Sequence, residues 1–297
     1  LQATTIMTST PCPELHPEIV DLIIDELYGF RPDLKTCALV CRSWVSRSRF
    51  HLFSTICLSN RQNKASLFLA LCASPHSTIP LARISNVTIT TNQFDGVEYK
   101  DKQLQDPALF NQVLTWRSPH DGKSIADVFR HLKTLSLDWI GWRSLSQTAK
   151  SMLHLAFQPV TELKLRGIVF KTGDEFLEFL SSLICLEKLC LDYVVLYAPV
   201  QSSTMRSNVF PSRFHTINLK NLSPVHSGQV IRAITPCHSL KNLSIHVIFF
   251  RDMNAKNSMA IGDLLVSAGP SLESFEFCVK VIGILEEGVN LGEHHLY

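Results

Sequence analysis

The stretch PELHPEIVDLIIDELYGFRPDLKTCALVCRSWVSRSRFHLFSTI, residues 13–56, decides how the rest of the chain is interpreted. It carries two dense apolar patterns, separated by a turn at Gly29 and Pro32. In the first pattern apolar side chains cover about 200° of a helical arc, whereas a surface helix needs a stripe of about 100°. These side chains are Ile19, Val20, Leu22, Ile23, Ile24 and Leu27. The pattern predicts a helix from about His16 to Leu27 that is buried on two sides, by its own domain and by something else.

A second apolar pattern follows the turn, where Asp33 can cap another helix. Five of its residues share one helical face by their spacing. They are Leu34, Cys37, Ala38, Cys41 and Val45. Leu39, Val40 and Trp44 lie off that face, so this helix also has more apolar surface than one face requires. A third, short helix is predicted to end near Leu52.

Four sequence elements within residues 13–56 keep a fixed order and spacing. They are L-x-P-E-I from Leu15, I-x-x-E-L from Ile23, L-x-x-C-x-L-V-C-R-x-W from Leu34 and R-x-x-L-F from Arg49. Together they resemble the F-box family, although that family usually has Pro where this chain has His16. The resemblance implies a three-helix module that docks on a Skp-type adaptor, through which it joins a cullin–RING ubiquitin ligase.

The resemblance also implies which side chains meet the adaptor. They are matched motif positions and surplus apolar residues: Leu15, Pro17, Glu18, Ile19, Ile23, Leu39, Val40 and Trp44. The two-sided burial inferred for the first helix is what such docking would require.

From about Ala82 onward the chain repeats a unit of the form apolar-x-x-apolar-x-apolar, first seen at Ile84, Val87 and Ile89. Later units start at Leu132, Val160, Leu186, Phe214, Leu240 and Leu272. These starts are 28, 26, 28, 26 and 32 residues apart, which is close to the period of leucine-rich repeats. The alternation within each unit predicts a strand, and helix-like stretches lie between the units.

Residues from about 82 to 281 resemble the leucine-rich-repeat family. The resemblance implies an α/β fold, in which a three-helix F-box module precedes an irregular solenoid with parallel strands on one face and helices on the other. The family's Asn or Cys at the ninth position of each unit is absent, so a buried Asn ladder should be missing. The residues found there are Ile140, Ile168, Val194, Leu222, Ile248 and Lys280.

These interpretations divide the chain into four parts. They are a disordered N-terminus at 1–12, the F-box at 13–56, a helical connector at 57–81 and the solenoid at 82–297, with an insertion at about 91–131. Within the insertion a polar segment precedes a helix that ends near Trp116. Because the chain begins with Leu1, it is expected to be a fragment or to have its natural start at Met7.

Outward-facing positions of successive strands form columns, with neighbouring strands about 4.8 Å apart. One predicted column contains Asp138, Arg166, Asp192, Lys220 and His246, followed by Cys278. The next contains Ser136, Lys164, Cys190, Asn218 and Ser244, followed by Glu276. Two interpretations stay open: a solvated face whose cross-strand pairs contribute up to about 1 kcal/mol each, or a concave surface that binds a target protein.

Composition and charge favour a globular intracellular protein, cytoplasmic or nuclear. The chain is 45% hydrophobic and 18% charged, with a formal charge of +2, which makes no general case for nucleic acid or an anionic membrane. It has no apolar run long enough for a membrane span, and its first residues do not form a signal peptide. Nine cysteines without a C-x-x-C pair are interpreted as reduced thiols.

No catalytic, metal or cofactor site is predicted. Cys37 and Cys41 lack further ligands at metal-site spacing, and two adjacent histidines near the end are weak support for a metal. No nucleotide-binding, zinc-protease or hydrolase motif is present. Basic residues cluster at Arg42, Arg47, Arg49, Arg61 and Lys64. Without an aromatic stacking platform, a solvated face is favoured there over a nucleic-acid site.

The leading hypothesis is a substrate-recognition subunit of an SCF (cullin–RING) ubiquitin ligase, not itself an enzyme, with a Skp-type adaptor and an unidentified target protein as partners. The first alternative is a non-ligase scaffold, in which the F-box-like helices only cap the solenoid. The second is a nucleic-acid binder that uses the basic cluster. Adaptor capture separates the first two, and the salt dependence of binding tests the third.

Overall fold

The structure is a computed structural model, which describes residues 15–59, 63–75, 79, 83–90, 108–201, 210–221, 227–247 and 255–279. The chain divides into two compact units, residues 1–54 and residues 55–297. We call them the helical unit and the sheet unit. The predicted disorder of 1–12 and the segments 91–107 and 280–297 lie outside the described residues.

Three helices form the described part of the helical unit: α1 (Pro17–Glu26), α2 (Arg31–Val40) and α3 (Arg42–Leu52). α1 begins at a proline, whose missing N–H is tolerated in a first turn. The predicted first helix is confirmed to within one residue at each end. Asp33 lies inside the first turn of α2, and not at its cap, which is Phe30.

Cys41 separates α2 from α3 with an extended backbone, at φ −158° and ψ 168°. The apolar face predicted from Leu34 to Val45 is therefore wrong as a face of one helix, because its members belong to two. Leu34 and Cys37 are buried on α2, whereas Cys41 is exposed. One extended residue leaves no trace in a pattern of apolar spacing, so the sequence does not signal this break.

The core of the helical unit is small. Val20 and Ile24 of α1 and Leu34 of α2 are buried together. Leu27, Trp44 and Leu52 pack around this group and are themselves partly buried. The three helices are thus held by one compact apolar cluster, which uses only part of the apolar surface of α1 and α2.

The sheet unit is a mixed α/β structure. Among the described residues, eight parallel strands form one sheet in chain order: β1 (Thr55–Ser59), β2 (Asn86–Thr90), β3 (Thr134–Asp138), β4 (Glu162–Arg166), β6 (Lys188–Asp192), β8 (Thr216–Lys220), β9 (Asn242–Val247) and β10 (Ser274–Val279). Two shorter strands, β5 (Val169–Thr172) and β7 (Val195–Ala198), pair in parallel as a second sheet. This pair lies in connections for which only helices were predicted.

Helices occupy most connections between the strands. They are α4 (Lys64–Ala73), α5 (Ala108–Thr115), α6 (Ile125–Val128), α7 (Gln147–Ala156), α8 (Gly173–Ser182), α9 (Ser227–Ala233) and α10 (Ala255–Ala268). The helices expected between the later units are confirmed as α7 to α10, and the helix expected to end near Trp116 is α5. Within the described residues, no helix combines the length and the apolar composition needed to cross a membrane.

The first strand differs from the prediction. β1 lies at the end of the expected F-box and the start of the expected helical connector, yet it pairs in parallel with β2, with Ile56 opposite Val87. The sheet therefore begins at Thr55 and not near residue 82. Within the described part of 57–81, α4 agrees with the helical prediction, whereas residues 57–59 belong to β1.

The buried side chains of the strands repeat across the sheet. In β3 and β4, Leu135 lies opposite Leu163 and Leu137 opposite Leu165, and all four are at most 1% exposed. In this sheet each strand from β1 to β9 continues the apolar row of the strand before it, so the core runs through these strands. On β10 the corresponding Phe275 is 46% exposed.

Aliphatic side chains fill the ninth position of the units. Ile140, Ile168 and Val194 are completely buried. They form a buried row where an Asn ladder would otherwise lie. The three remaining predicted members of this row, Leu222, Ile248 and Lys280, lie outside the described residues.

Candidate functional site

The helical unit exposes large apolar side chains on α1, on α2 and just before α1. We call this group the apolar surface; it comprises Leu15, Ile19, Leu22, Ile23, Leu39 and Val40. Leu39 is 87% exposed and Val40 59%, so neither contributes to the core of the unit. α1 therefore carries two kinds of apolar residue, because Val20 and Ile24 face the core while its other apolar residues face solvent.

The remaining predicted adaptor contacts divide into two kinds. Pro17 and Glu18 are exposed in the first turn of α1. Trp44 differs from the expectation that it belongs to the surplus surface, because it is half-buried and packs on the core of the unit. Its large ring packs against the cluster of Val20, Ile24 and Leu34, a role that its position off the predicted stripe did not suggest.

Two exposed aromatic residues were missed by the sequence reasoning. Tyr28 and Phe30 lie in the connection between α1 and α2 and are exposed. Their only sequence signal was their position on either side of Gly29, in a segment interpreted as a turn. Exposed aromatic side chains are frequent anchors in protein interfaces, so these two are further candidate contacts of the helical unit.

An ion-pair network joins α1 to α3. The Arg47 guanidinium donates two hydrogen bonds to the Asp25 carboxylate, each at 2.5 Å, and His51 Nε2 lies 2.7 Å from Asp25 Oδ1. The hydrogen bonds from Arg47 and then His51 lower the pKa of Asp25 to about 2. A bidentate pair of this kind fixes orientation as well as distance, so it holds α1, one of the two helices that carry the apolar surface.

The two predicted columns of the strand face are in register. Across β3, β4, β6, β8 and β9 the first column aligns Asp138, Arg166, Asp192, Lys220 and His246. The second aligns Ser136, Lys164, Cys190, Asn218 and Ser244, and β10 adds Glu276 and Cys278 to the two columns. We call these residues the strand face. The structure thus brings together every residue that the sequence placed there.

The charges of the strand face pair only in part along the columns. Arg166 Nε lies 3.4 Å from Asp192 Oδ2 on the next strand. Asn221 Nδ2 donates a hydrogen bond to Asp192 Oδ1 at 2.9 Å. Lys164 contacts Glu162 of its own strand at 3.2 Å, and not a residue of its column. Asp192 is therefore well satisfied, and pairing does not extend along the whole face.

Burial changes the acidity of two strand-face groups. It raises the pKa of the Asp138 carboxyl, an effect that Arg166 opposes and Asp192 reinforces. Burial also raises the pKa of the Cys190 thiol. Because the thiolate is the reactive form, Cys190 is a poor nucleophile at neutral pH.

Ser244, His246 and Glu276 come close enough to resemble a hydrolytic group. Ser244 Oγ lies 2.7 Å from His246 Nε2 and donates to Glu276 Oε2 at 2.8 Å. In a catalytic triad the carboxylate holds the other ring nitrogen of the histidine and leaves the serine free to attack. Here the carboxylate binds the serine itself, so the arrangement ties β9 to β10 and does not activate a nucleophile.

A row of residues with left-handed backbone follows four successive strands. Trp139, Gly167, Tyr193 and Asn221 have φ of 57°, 62°, 52° and 49°. Each donates its backbone N–H to a carbonyl oxygen of the next strand, at 2.7, 2.8, 3.3 and 3.0 Å. The acceptor is the last residue of that strand for Trp139, Gly167 and Tyr193, and the last but one, His246 of β9, for Asn221. Bulky residues rarely adopt this conformation, and the hydrogen-bonded ladder holds them in it. We call these four residues the post-strand row.

Basic residues of the helical unit already have partners in the structure. Arg47 is bound to Asp25, and Arg31 donates to the Leu52 carbonyl oxygen at 3.1 Å. Arg61 lies outside the described residues. Of the described His, Cys, Asp and Glu side chains, no three come together in a group that could hold a metal ion.

Comparison with known proteins does not identify the chain. No model of a known protein family matches it, and a search of curated proteins finds no match either. The function must therefore be argued from the two candidate surfaces, the apolar surface of the helical unit and the strand face of the sheet unit.

Proposed function

We propose that the chain is the substrate-recognition subunit of an SCF-type, cullin–RING ubiquitin ligase. Its helical unit is an F-box that binds a Skp-type adaptor, and its sheet unit is a leucine-rich-repeat solenoid that binds a target protein. The chain supplies no reacting group. It holds a lysine of the target near a charged conjugating enzyme, and the resulting effective concentration and orientation favour the transfer.

The apolar surface is the observation that carries this proposal. Covering a large apolar side chain is worth about 1.5–3 kcal/mol when burial is complete. Leu39 and Val40 are adjacent in the last turn of α2, and Ile19 and Ile23 are one turn apart on α1. A helical unit with so small a core gains nothing from exposing them, whereas a partner that covers them gains affinity.

The strand face supports the second half of the proposal. Parallel strands stacked at a period of 26 to 32 residues create a long surface of outward side chains in fixed register. Its residues are polar, charged and only partly paired with one another. Such a surface can select a protein by matching charges and hydrogen bonds.

Adaptor capture by the purified chain tests the proposal. The full chain is co-expressed with a tagged Skp-type adaptor, and the captured amount is compared with that of Leu39→Asp/Val40→Asp. We expect the wild type to be captured. The double variant should not be captured, because its binding would bury two carboxylates at the interface. Leu155→Asp is the matched control, since Leu155 is 57% exposed on α7 of the sheet unit.

The control separates a specific interface from general stickiness. If the wild type is not captured, or if Leu155→Asp loses capture as fully as the double variant does, the ligase proposal fails. Failure with a folded chain favours the alternative of a non-ligase scaffold. Circular dichroism of each variant shows whether the helices are retained.

A further inference from the structure

Gly167 makes room for the ring of Trp139 in the post-strand row. A β-carbon on Gly167 would overlap ring atoms Cδ2, Cε3 and Cζ3 of Trp139, so the ring lies over the Gly167 backbone. From there it approaches Tyr193, two strands away in the sheet. The two ring centroids are 6.3 Å apart and the ring planes are inclined by 31°. The pair is an aromatic platform, which the missing side chain of Gly167 permits.

Two carboxylates immediately precede the two rings. Asp138 precedes Trp139, Asp192 precedes Tyr193, and Arg166 lies in register between the carboxylates. Asp192 already has two partners, Arg166 and Asn221. Asp138 accepts no hydrogen bond from any residue that the structure describes, and Arg166 acts on it only through the longer-range charge interaction. Asp138 is thus the acceptor that this part of the strand face leaves open.

We propose that Asp138, Trp139 and Tyr193 form a subsite for one cationic side chain, an arginine or a lysine, of the target protein. This inference rests on the proposed role of the strand face as the target surface, and it is independent of adaptor binding. The carboxylate pairs with the cation, while the aromatic faces attract it through their negative quadrupoles. Arginine suits the site better, because a planar guanidinium can stack and form a bidentate pair at the same time.

The local charges favour a cation over an anion. The charges of the column alternate, so Asp192 has a cation in register on both sides, Arg166 and Lys220, whereas Asp138 has Arg166 on one side and the neutral Thr90 on the other. Surrounding protein partly removes water from the Asp138 carboxyl, which raises its pKa. An ionised group in such a place gains more from a nearby cation than a fully hydrated one, because the interaction is less screened.

Nuclear magnetic resonance with small probes tests the subsite. The ¹⁵N-labelled full chain is titrated with Nα-acetyl-arginine amide, with the corresponding lysine amide, and with the citrulline amide as the neutral isostere of arginine. The chain has four tryptophans, and Trp139→Phe assigns the indole N–H signal of Trp139. We expect the arginine and lysine probes to shift this signal and the citrulline probe to leave it unchanged.

Two substitutions of equal charge locate the effect. Asp138→Asn should weaken binding of the arginine probe about tenfold, since it removes the ion pair but keeps the shape of the side chain. Asp263→Asn changes the net charge equally at an exposed position of α10 and should leave binding unchanged. The subsite is refuted if the Trp139 signal ignores the arginine probe, if citrulline shifts it equally, or if Asp138→Asn binds as the wild type does.

Adaptor capture distinguishes this inference from the proposed function. Asp138→Asn leaves the apolar surface intact, so its capture by the adaptor should equal that of the wild type. If the wild type fails to bind the adaptor while its Trp139 signal responds to arginine, the ligase proposal falls and the cationic subsite stands. If capture succeeds and the signal does not respond, only the subsite falls.

Discussion

The apolar surface and the strand face expose side chains of opposite character. On the apolar surface Ile23, Leu39 and Val40 have no polar group to pair, whereas the strand face holds ion pairs and hydrogen bonds among its own residues, such as Arg166 with Asp192. The first surface depends on a partner to remove it from water. The second is already satisfied in part, so a ligand must compete with existing pairs or use the acceptors left open.

This difference matches two kinds of recognition. An apolar contact is strong and tolerant of detail, as expected for a partner that is always the same. Polar columns discriminate between possible partners, because a mismatched charge costs more binding free energy than a matched charge contributes. One chain can therefore combine a constant attachment with a selective surface.

The largest expected effect is a loss of stability in the sheet unit, where buried side chains support the strand face. Ile168→Ala removes a completely buried side chain of the aliphatic row and should lower the free energy of unfolding by about 4 kcal/mol. Urea unfolding followed by circular dichroism measures it. Ile184→Ala, at a position 63% exposed, is the control and should change it by less than about 0.5 kcal/mol. Equal effects would mean that the buried row does not support the sheet.

Trp44 decides where the apolar surface ends and the core begins. Trp44→Ala should destabilise the helical unit by about 2 kcal/mol, because the ring packs on the buried cluster. Ile23→Ala removes an exposed side chain and should leave stability nearly unchanged while it weakens adaptor capture. Hydrogen exchange of α1 to α3 measures the first effect. If hydrogen exchange is unchanged in Trp44→Ala, the ring does not stabilise the core of the helical unit, and Trp44 belongs with the exposed apolar residues.

Alanine substitutions at Gly167 and Gly122 distinguish the cost of backbone strain from the cost of overlap with the Trp139 ring. Both have positive φ, 62° and 68°, but a β-carbon on Gly122 has nothing within 4 Å. Gly122→Ala should cost about 1 kcal/mol for the left-handed backbone alone. Gly167→Ala should cost about 2 kcal/mol, because it must also displace the Trp139 ring. Thermal unfolding of both variants gives the difference, and equal losses would contradict the described position of the ring.

The smallest expected effect concerns the ion pair between Asp25 of α1 and Arg47 of α3. The folded pKa of Asp25, about 2, lies below its ordinary value of 3.8, so folding favours the ionised carboxylate. Its contribution is therefore complete above about pH 4 and is lost as the pH falls towards 2. Asp25→Asn should cost about 1 kcal/mol at neutral pH, since the pair is partly exposed to solvent.

Measuring stability against pH checks this assignment. Wild type should lose stability between about pH 4 and pH 2 more steeply than Asp25→Asn does. Glu26→Gln is the matched control at the neighbouring exposed position and should keep the wild-type slope. Identical slopes in the wild type and Asp25→Asn would show that Arg47 and His51 do not stabilise the carboxylate.

The register of the strand face was predictable from the sequence because two periods determine it. The alternation within a strand assigns each residue a face, and the spacing between units aligns equivalent residues of successive strands. These two periods are sufficient to place Asp138, Arg166 and Asp192 in one column. They also predicted the parallel order of the later strands.

β1 was missed although its signal was present. Phe53, Ile56 and Leu58 fit the repeating unit and start 31 residues before Ile84. The same segment also completes the R-x-x-L-F element, and a residue pattern that satisfies two motifs was assigned to only one. β5 and β7, each of four residues, are too short to show a period of their own.

The aromatic platform could not have been predicted by the same means. Trp139 and Tyr193 take a backbone conformation that favours glycine, and their hydrogen bonds are to carbonyl groups of the next strand. Such a position depends on where the neighbouring strand ends and not on local preference. Trp44 is a similar case, because only the packing of three helices shows that its ring belongs to the core.

The abrupt end of α2 at Cys41 has a consequence for the polar contacts of the proposed adaptor interface. The last four carbonyl groups of a helix have no intrahelical N–H to accept, and the chain enters α3 after a single extended residue. Leu39 and Val40 lie in this last turn, at the negative end of the helix dipole. A protein that covers their side chains would lie beside these acceptors, so N–H or O–H donors next to its apolar contacts would complement them.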